Sequence, residues 1–171
     1  MIFEKYLIPD EMVERFECVT PEYLLEMGKT YIICDIDNTL ATYDDPEPPE
    51  NVVRWCRNMN EKGVTVAFVS NNDEERVARF NRNFGYVAYA NSHKPGTKKL
   101  KLAMRDLGAT VDNAVLLGDQ LLTDAAAAKS AGLYCIIVPP IKDKRNLFFR
   151  FKRWLEVPYV KKFKKAKRRV R

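Results

Sequence analysis

At 171 residues the chain has the size of one globular domain, and its 46% apolar and 30% charged residues are ordinary for a soluble protein. No apolar run approaches the roughly 20 residues that span a bilayer, and the N-terminus lacks the basic-then-apolar order of a signal peptide. The four cysteines have no paired or metal-binding spacing, which argues against a zinc site and predicts buried, reduced thiols in the cytosol.

Charge is divided unevenly along the sequence. The whole chain carries +6, yet the thirty residues from Lys142 to Arg171 contain fourteen basic and two acidic residues, a net of +12. Residues 1–141 therefore carry −6. An acidic body with a strongly basic tail indicates an anionic partner, either a membrane or a nucleic acid. We predict a folded domain over residues 1–141, which begins with a helical lead-in, and a basic, aromatic tail over residues 142–171.

Five short apolar runs follow one another in the body: YIICD, VTVAFVS, YVAYA, AVLLGD and YCIIVPP. Each is nearly all hydrophobic rather than alternating, which is typical of strands covered on both faces. Between them lie amphipathic segments that stop at Gly63, Gly85 and Gly108, and the alanine-rich TDAAAAKSAG stops at Gly132. Because strand and helix alternate, we predict an α/β fold, a doubly wound parallel sheet of about five strands with right-handed crossovers.

Polar residues follow these strands at the edge where such sheets bind ligands. They occur in DIDNT, VSNN, HKPG and GDQLLTD, and a turn alone would explain the first, because Asp and Asn cap turns with their side chains. Four successive loops with carboxylates, a hydroxyl and an ammonium instead indicate one site. The candidate site residues are Asp35, Asp37, Ser70, Asn71, Lys94, Asp119 and Asp124.

The order of these motifs resembles the haloacid dehalogenase-like (HAD) superfamily, whose members carry DxDxT, a strand-end Ser or Thr, a Lys and GDxxxxD. The longer stretches DIDNTL, SNNDEERV, KP and GDQLLTDAAAAKSAGLYCIIVPP, within about residues 31–141, resemble subfamily IIIA phosphatases of the YqeG type. That branch in turn resembles the mitochondrial phosphatidylglycerophosphate phosphatases. The resemblance implies a Mg²⁺-dependent hydrolase of phosphate monoesters that works through an aspartyl-phosphate intermediate, with this lipid phosphate as its substrate.

Phosphate ester displacement needs a nucleophile, a proton donor for the leaving oxygen and positive charge against the phosphoryl oxygens. Asp35 ends a strand and is the predicted nucleophile, and Asp37 is the predicted general acid/base. In the family an acid at the latter position accompanies phosphatases and phosphotransferases, so a dehalogenase is disfavoured. Mg²⁺ prefers oxygen ligands. By resemblance these are Asp35, the backbone carbonyl of Asp37, and Asp119.

The other candidates have supporting roles. Ser70 and the backbone N–H of Asn71 are predicted to bind phosphate oxygens at a helix start, and Lys94 to offset the charge of nucleophile and phosphate. Asp124 either holds the metal's waters or orients Lys94, or is simply an acid in a first helical turn.

Three polar residues near the site have less certain roles. Asn72 and Asp73 are better explained as helix caps than as ligands. His93 is either an exposed loop residue or a substrate contact.

The intervals between the motifs leave no room for a cap domain, which predicts an open site suited to a macromolecular or membrane-embedded phosphate. The tail interleaves aromatic residues with Lys and Arg, as interfacial segments on anionic lipid do. We therefore expect a cytoplasmic enzyme, peripheral on the inner face of the membrane, with a phospholipid phosphate as substrate.

Three alternatives remain open at this point. The chain could be a phosphatase that acts on a soluble or nucleic-acid phosphate. Since nucleic acid binds the same residue types, it could instead be a nucleic-acid- or ribosome-associated protein with a vestigial site. A third explanation of the tail is that Phe148, Phe149 and Trp154 dock on the body while the last lysines are solvated.

Overall fold

The computed structural model describes residues 4–142 and 154–163, and its centre is a single parallel β-sheet. The strands are β1 (Glu11–Met12), β2 (Tyr31–Cys34), β3 (Thr65–Val69), β4 (Ala88–Tyr89), β5 (Ala114–Gly118) and β6 (Tyr134–Ile137). They lie in the order β1-β6-β5-β2-β3-β4, and every neighbouring pair is parallel. The predicted doubly wound α/β fold is confirmed.

Helices connect the strands and cover both faces of the sheet. They are α1 (Glu4–Leu7), α2 (Pro21–Glu26), α3 (Glu50–Glu61), α4 (Glu74–Asn81), α5 (Lys98–Leu107), α6 (Ala126–Ala131) and α7 (residues 154–163). A 3-10 turn (Phe16–Cys18) and a π-helical turn (Leu121–Ala125) complete them. Two of the predicted stops cap their helices in the left-handed conformation that suits glycine, Gly108 at φ 68° after α5 and Gly132 at φ 79° after α6.

The central strands are apolar throughout because the core has a layer on each side of the sheet. Successive side chains point to opposite faces. Ile32 therefore packs in the layer that contains α3 and α4, whereas Ile33 packs in the layer that contains α5 and α6. In the first layer Phe68 of β3 meets Phe80 of α4 edge-on, with ring centroids 5.3 Å apart.

The N-terminal segment differs from the prediction. It was expected to be a helical lead-in, but it also contributes β1, which pairs with β6 and makes a sixth strand at the sheet edge. Two residues are too few to produce a readable pattern. The Asp10 carboxylate supports the junction by accepting the backbone N–H of Cys135 at 2.8 Å.

The cysteines are free, as predicted, and those at positions 34, 56 and 135 are buried. Burial raises the pKa of the Cys56 thiol to about 12, so this group is a poor nucleophile at neutral pH. Over the described residues, no helix has both the length and the apolarity to cross a bilayer. The segments between Thr39 and Ser70 and between Ser70 and Lys94 hold only α3, β3, α4 and β4, so neither interval contains a cap domain.

Helix α7 is amphipathic and docks on the body. Its inward positions follow helical spacing: Glu156 and Phe163 are buried, and Tyr159 and Val160 pack against the layer of α5 and α6. Trp154, which one of the explanations of the tail places on the body, is by contrast 67% exposed. Phe148 and Phe149 lie outside the described residues. The tail therefore docks on the body through this inward face of α7, from Glu156 to Phe163.

Candidate active site

The candidate residues meet because three neighbouring strands end side by side. Strand β2 lies between β3 and β5, and Asp35, Ser70 and Asp119 directly follow these strands. Parallel strands present their carboxyl ends at one edge, where ligands bind in such sheets. A cavity of about 350 Å³ opens there. It is lined by Asp35, Asp37, Tyr43, Ser70, Asn71, Asn72, Lys94, Gln120, Thr123 and Asp124.

Lys94 is the basic residue among those that line this cavity. Its buried Nζ lies 2.7 Å from Oδ1 of Asp35 and 2.7 Å from Oδ1 of Asp124, and it donates to the Val69 carbonyl at 2.8 Å. Burial alone would lower the pKa of this ammonium, but the Asp124 and Asp35 carboxylates outweigh that effect and raise its pKa above the ordinary value. Lys94 is therefore a fixed positive charge against Asp35, as its predicted role requires.

Burial raises the pKa of Asp35 to about 7, although Lys94 opposes this shift and repulsion from Asp124 adds to it. The chain's own residues thus leave this carboxylate short of positive charge. The shortage matters because a nucleophilic carboxylate must be ionised.

Three carboxylates can supply the missing charge by holding a cation. Asp35, Asp119 and Asp124 are all buried, and one ligand oxygen from each lies within 4.8 Å of the others. With Lys94 among them the cluster has a net charge of −2, which a divalent ion would balance. The Thr39 hydroxyl lies 3.3 Å from Oδ2 of Asp35 and 3.5 Å from Oδ1 of Asp119, and connects two of these ligands. The donor set fits a hard divalent metal.

Asp124 is held in this cluster by the backbone as well as by Lys94. Its Oδ2 accepts the N–H groups of Asp119 at 3.2 Å and Gln120 at 3.0 Å. It packs so closely on Gly118 that a Cβ added to that glycine would lie 2.4 Å from the Asp124 Cβ and Cγ atoms. Two of the roles considered for Asp124 are thus both seen, the ion pair with Lys94 and the acid in a first helical turn, and the role of holding the metal's waters stays a prediction.

The predicted acid/base, Asp37, has two partners that the sequence did not reveal. Its Oδ1 accepts Nε and Nη2 of Arg76, each at 3.2 Å, and its Oδ2 accepts Nδ2 of Asn72 at 2.8 Å. The prediction that Asn72 is a helix cap is wrong, whereas Asp73 does cap α4 by accepting the Arg76 backbone N–H at 2.8 Å. One signal was available in the sequence, because Arg76 is a basic residue three positions after the cap Asp73, in a first helical turn where the dipole disfavours positive charge.

The predicted phosphate-binding residues lie at the same edge. The Ser70 hydroxyl accepts the Asn72 backbone N–H at 3.1 Å and keeps its own proton for a further acceptor. The Asn71 side chain holds the next loop, accepting the Ser92 hydroxyl at 2.6 Å and the Lys94 backbone N–H at 2.7 Å. Its backbone N–H remains the group predicted to meet phosphate. His93 is exposed, with φ 51°, and does not line the cavity.

Comparison with known proteins agrees with this arrangement. The family model of haloacid dehalogenase-like hydrolases matches residues 5–132, and the chain belongs to this family. The probable phosphatase YqeG of Bacillus subtilis is 35% identical over 155 residues, which are 91% of this chain and 90% of the relative. Together these findings make the chain an enzyme of the phosphatase class within the family. The finer resemblances, to subfamily IIIA and to phosphatidylglycerophosphate phosphatases, stay predictions.

Solved structures show the same fold. An uncharacterized protein from Listeria monocytogenes serotype 4b superposes with a TM-score of 0.54 at 23% identity, over 68% of this chain and 84% of the other. The cobalt-bound deoxy-D-mannose-octulosonate 8-phosphate phosphatase of Haemophilus influenzae gives a TM-score of 0.51 at 14% identity, over 80% of this chain and 92% of that one. At such identities the similarity establishes the fold alone.

Proposed function

We propose that the chain is a Mg²⁺-dependent phosphatase that hydrolyses a phosphate monoester through an aspartyl-phosphate on Asp35, with phosphatidylglycerophosphate at the membrane surface as its substrate. The observation that carries the chemistry is the position of Asp35, at the end of a central strand, 2.7 Å from Lys94 and within the acidic cluster. Mg²⁺ at that cluster would keep the Asp35 carboxylate ionised and bind phosphoryl oxygen.

The reaction then has two halves. In the first, an Asp35 oxygen attacks phosphorus, the bond to the leaving oxygen breaks, and Asp37 gives that oxygen its proton. In the second, Asp37 takes a proton from water, the water oxygen attacks phosphorus, and the bond to Asp35 breaks to release phosphate. Lys94, the Ser70 hydroxyl and the Asn71 N–H stabilise the phosphoryl oxygens in both halves.

Three features support a lipid phosphate as the substrate. No cap domain stands between the motifs, so a large substrate can approach the site. A second cavity of about 770 Å³ lies beside Asp119, between α7 and the segment after β6. Its walls are mostly apolar and include Met12, Val13, Leu121, Ile137, Val157 and Val160. An apolar cavity next to a predicted metal ligand suits a phosphate that is attached to a lipid.

The third feature is the outward face of α7. Trp154, Leu155 and Val157 are exposed in its first turn, and Lys161 and Lys162 are exposed in its last. Aromatic and aliphatic side chains followed by lysines are typical of a helix at an anionic bilayer surface. The helix is linked to the site through its inward face, because Oε1 of Glu156 accepts the N–H of Leu122, which lies two residues before Asp124.

A two-panel assay tests the proposed function. Purified full-length protein with Mg²⁺ is offered phosphatidylglycerophosphate and other lipid phosphates in mixed micelles, and, side by side, sugar, nucleotide and small alkyl phosphates. We expect Mg²⁺-dependent release of inorganic phosphate that is fastest on phosphatidylglycerophosphate, since binding of the lipid part can contribute to the reaction. Faster turnover of the soluble phosphates would contradict the lipid substrate, and retention of the protein on RNA would favour the nucleic-acid alternative.

Removal of the last eight residues should separate membrane binding from catalysis. Residues 164–171 contain six Lys or Arg, and each basic residue near an anionic bilayer adds about 1 kcal/mol at low screening. A chain that ends at Phe163 retains the buried face of α7, whereas an end after Pro158 would divide the helix. We expect this shortened chain to lose most vesicle binding at physiological salt.

Sedimentation with anionic and neutral vesicles measures the binding, and p-nitrophenyl phosphate turnover, which should be nearly unchanged, measures the site. The matched control exchanges Lys for Arg and Arg for Lys within residues 164–171, which preserves the charge and should preserve binding. Equal binding of the intact and shortened chains would rule out the membrane role of the last eight residues.

A further inference from the structure

We propose that Arg76 is a positioning residue that fixes the carboxylate of Asp37 for both proton transfers and ties it to the loop that forms one wall of the cavity. The inference rests on the proposed function and adds a residue that acts through Asp37 rather than on the substrate. It is drawn from the hydrogen bonds of one buried guanidinium group.

Every N–H donor of the Arg76 guanidinium is used. The Nε and Nη2 groups reach Oδ1 of Asp37, and Nη2 also donates to the Thr42 carbonyl at 3.1 Å. Nη1 donates to the carbonyls of Asp45 at 2.6 Å and Pro46 at 3.2 Å. The five donors of arginine thus make five bonds in a fixed plane. A lysine has one nitrogen and cannot reach the same acceptors.

Burying a cation at this position costs free energy, which the hydrogen bonds of the guanidinium group must offset. Arg76 is only 9% exposed, and it lies in the first turn of α4, where the helix dipole disfavours positive charge. Its guanidinium carbon lies 5.5 Å from the ring centroid of Phe80, which covers one side of the group. Asp37, also buried, is the charge that compensates it.

The three carbonyls belong to the loop that follows the DIDNT motif. This loop is also closed on itself, because Oδ2 of Asp45 accepts the Thr42 backbone N–H at 2.7 Å and the Thr42 hydroxyl at 2.8 Å. Between these residues Tyr43 lines the catalytic cavity. Arg76 therefore positions both the acid/base and one wall of the cavity. The second oxygen of Asp37 is held by Asn72.

p-Nitrophenyl phosphate can show whether this arrangement serves catalysis. Its leaving group needs no proton, so the first half of the reaction does not depend on Asp37, whereas the attack of water in the second half does. In Arg76→Met, we expect a rapid burst of about one nitrophenolate per enzyme, then a steady rate about 10- to 100-fold below wild type. KM should fall together with kcat, because kcat/KM reports only the first half of the reaction, which does not depend on Asp37. The phosphorylated enzyme should accumulate and be recovered after acid quenching.

Two further variants that weaken the hydrogen bonds to Asp37, and one control variant, complete the design. Arg76→Lys should behave like Arg76→Met, because charge without the planar fork does not position Asp37. Asn72→Ala removes the 2.8 Å bond to the other oxygen of Asp37, together with the local bond in which Oδ1 of Asn72 accepts the Asp73 N–H at 2.9 Å, and should give a smaller form of the same burst. Arg79→Met, on the same helix but paired with exposed Glu75, should match wild type.

The burst separates positioning from mere support of the fold. If Arg76 only supported the fold, its loss would lower the burst amplitude and the steady rate together, since fewer molecules would be active. That outcome in both Arg76→Lys and Asn72→Ala would overturn the inference. If Arg76→Met does not fold, the Arg76→Lys and Asn72→Ala variants still test whether Asp37 is positioned in this way. A wild-type protein that releases no phosphate would instead overturn the proposed function itself, so the two failures are distinguishable.

Discussion

Replacement of Asp35 by Asn should abolish Mg²⁺-dependent phosphate release, by roughly 10⁴-fold or more, a loss typical of a removed nucleophile. An amide is nearly the same size as a carboxylate but is a far weaker nucleophile and a neutral ligand. The fold should survive, because Lys94 keeps Asp124 as a partner at 2.7 Å. Phosphate release measures the loss, and thermal unfolding followed by circular dichroism verifies the fold.

Asp112→Asn is the matched control, since this aspartate is exposed and lies at the opposite edge of the sheet, before β5. It should retain full activity. Near-normal turnover by the Asp35→Asn protein would mean that another group attacks phosphorus.

Asp37 and Asp119 should fail in different ways when each is changed to Asn. Loss of the acid/base slows turnover by about 100-fold or more, and added Mg²⁺ does not restore it, because the Asp37 side chain points to Arg76 and Asn72 rather than into the acidic cluster. Loss of Asp119 removes one of the three clustered carboxylates, so metal affinity falls and excess Mg²⁺ restores part of the rate.

Rates across a Mg²⁺ titration distinguish the two variants. Thermal shifts give a second readout, because a metal at 100 times its Kd stabilises the folded protein by about 2.7 kcal/mol. The shift should persist in Asp37→Asn and require more metal in Asp119→Asn. Rescue of the first variant by Mg²⁺ and not the second would reverse the assigned roles.

Much of this site follows from the sequence because its residues stand at strand ends. The strands are readable as apolar runs, and their parallel order places Asp35, Ser70 and Asp119 at one edge whatever the side-chain details. Lys94 does not directly follow a strand, yet its ammonium reaches the carboxylates because its loop is held by Asn71. Backbone topology is thus sufficient to predict the group of residues, though not their contacts.

What the sequence did not reveal depends on side-chain direction over long separations. Arg76 is 39 residues from Asp37, and a basic residue on an amphipathic helix normally indicates a solvated face. Likewise, the sequence could not show which aromatic residues of the tail pack inward: Phe163 is buried, whereas Trp154 is 67% exposed. Strand β1 went unpredicted because two residues carry no periodicity.

Gly118 shows how little room the catalytic edge leaves for sequence change. A Cβ atom at this position would overlap the Asp124 side chain. Even alanine would therefore displace the carboxylate that pairs with Lys94. In a saturation scan this position should therefore be as intolerant as the aspartates, although glycine offers no functional group. Homologues that keep both aspartates of GDxxxxD but lack its glycine should be inactive, and a redesign of the site has to retain the glycine together with the aspartates.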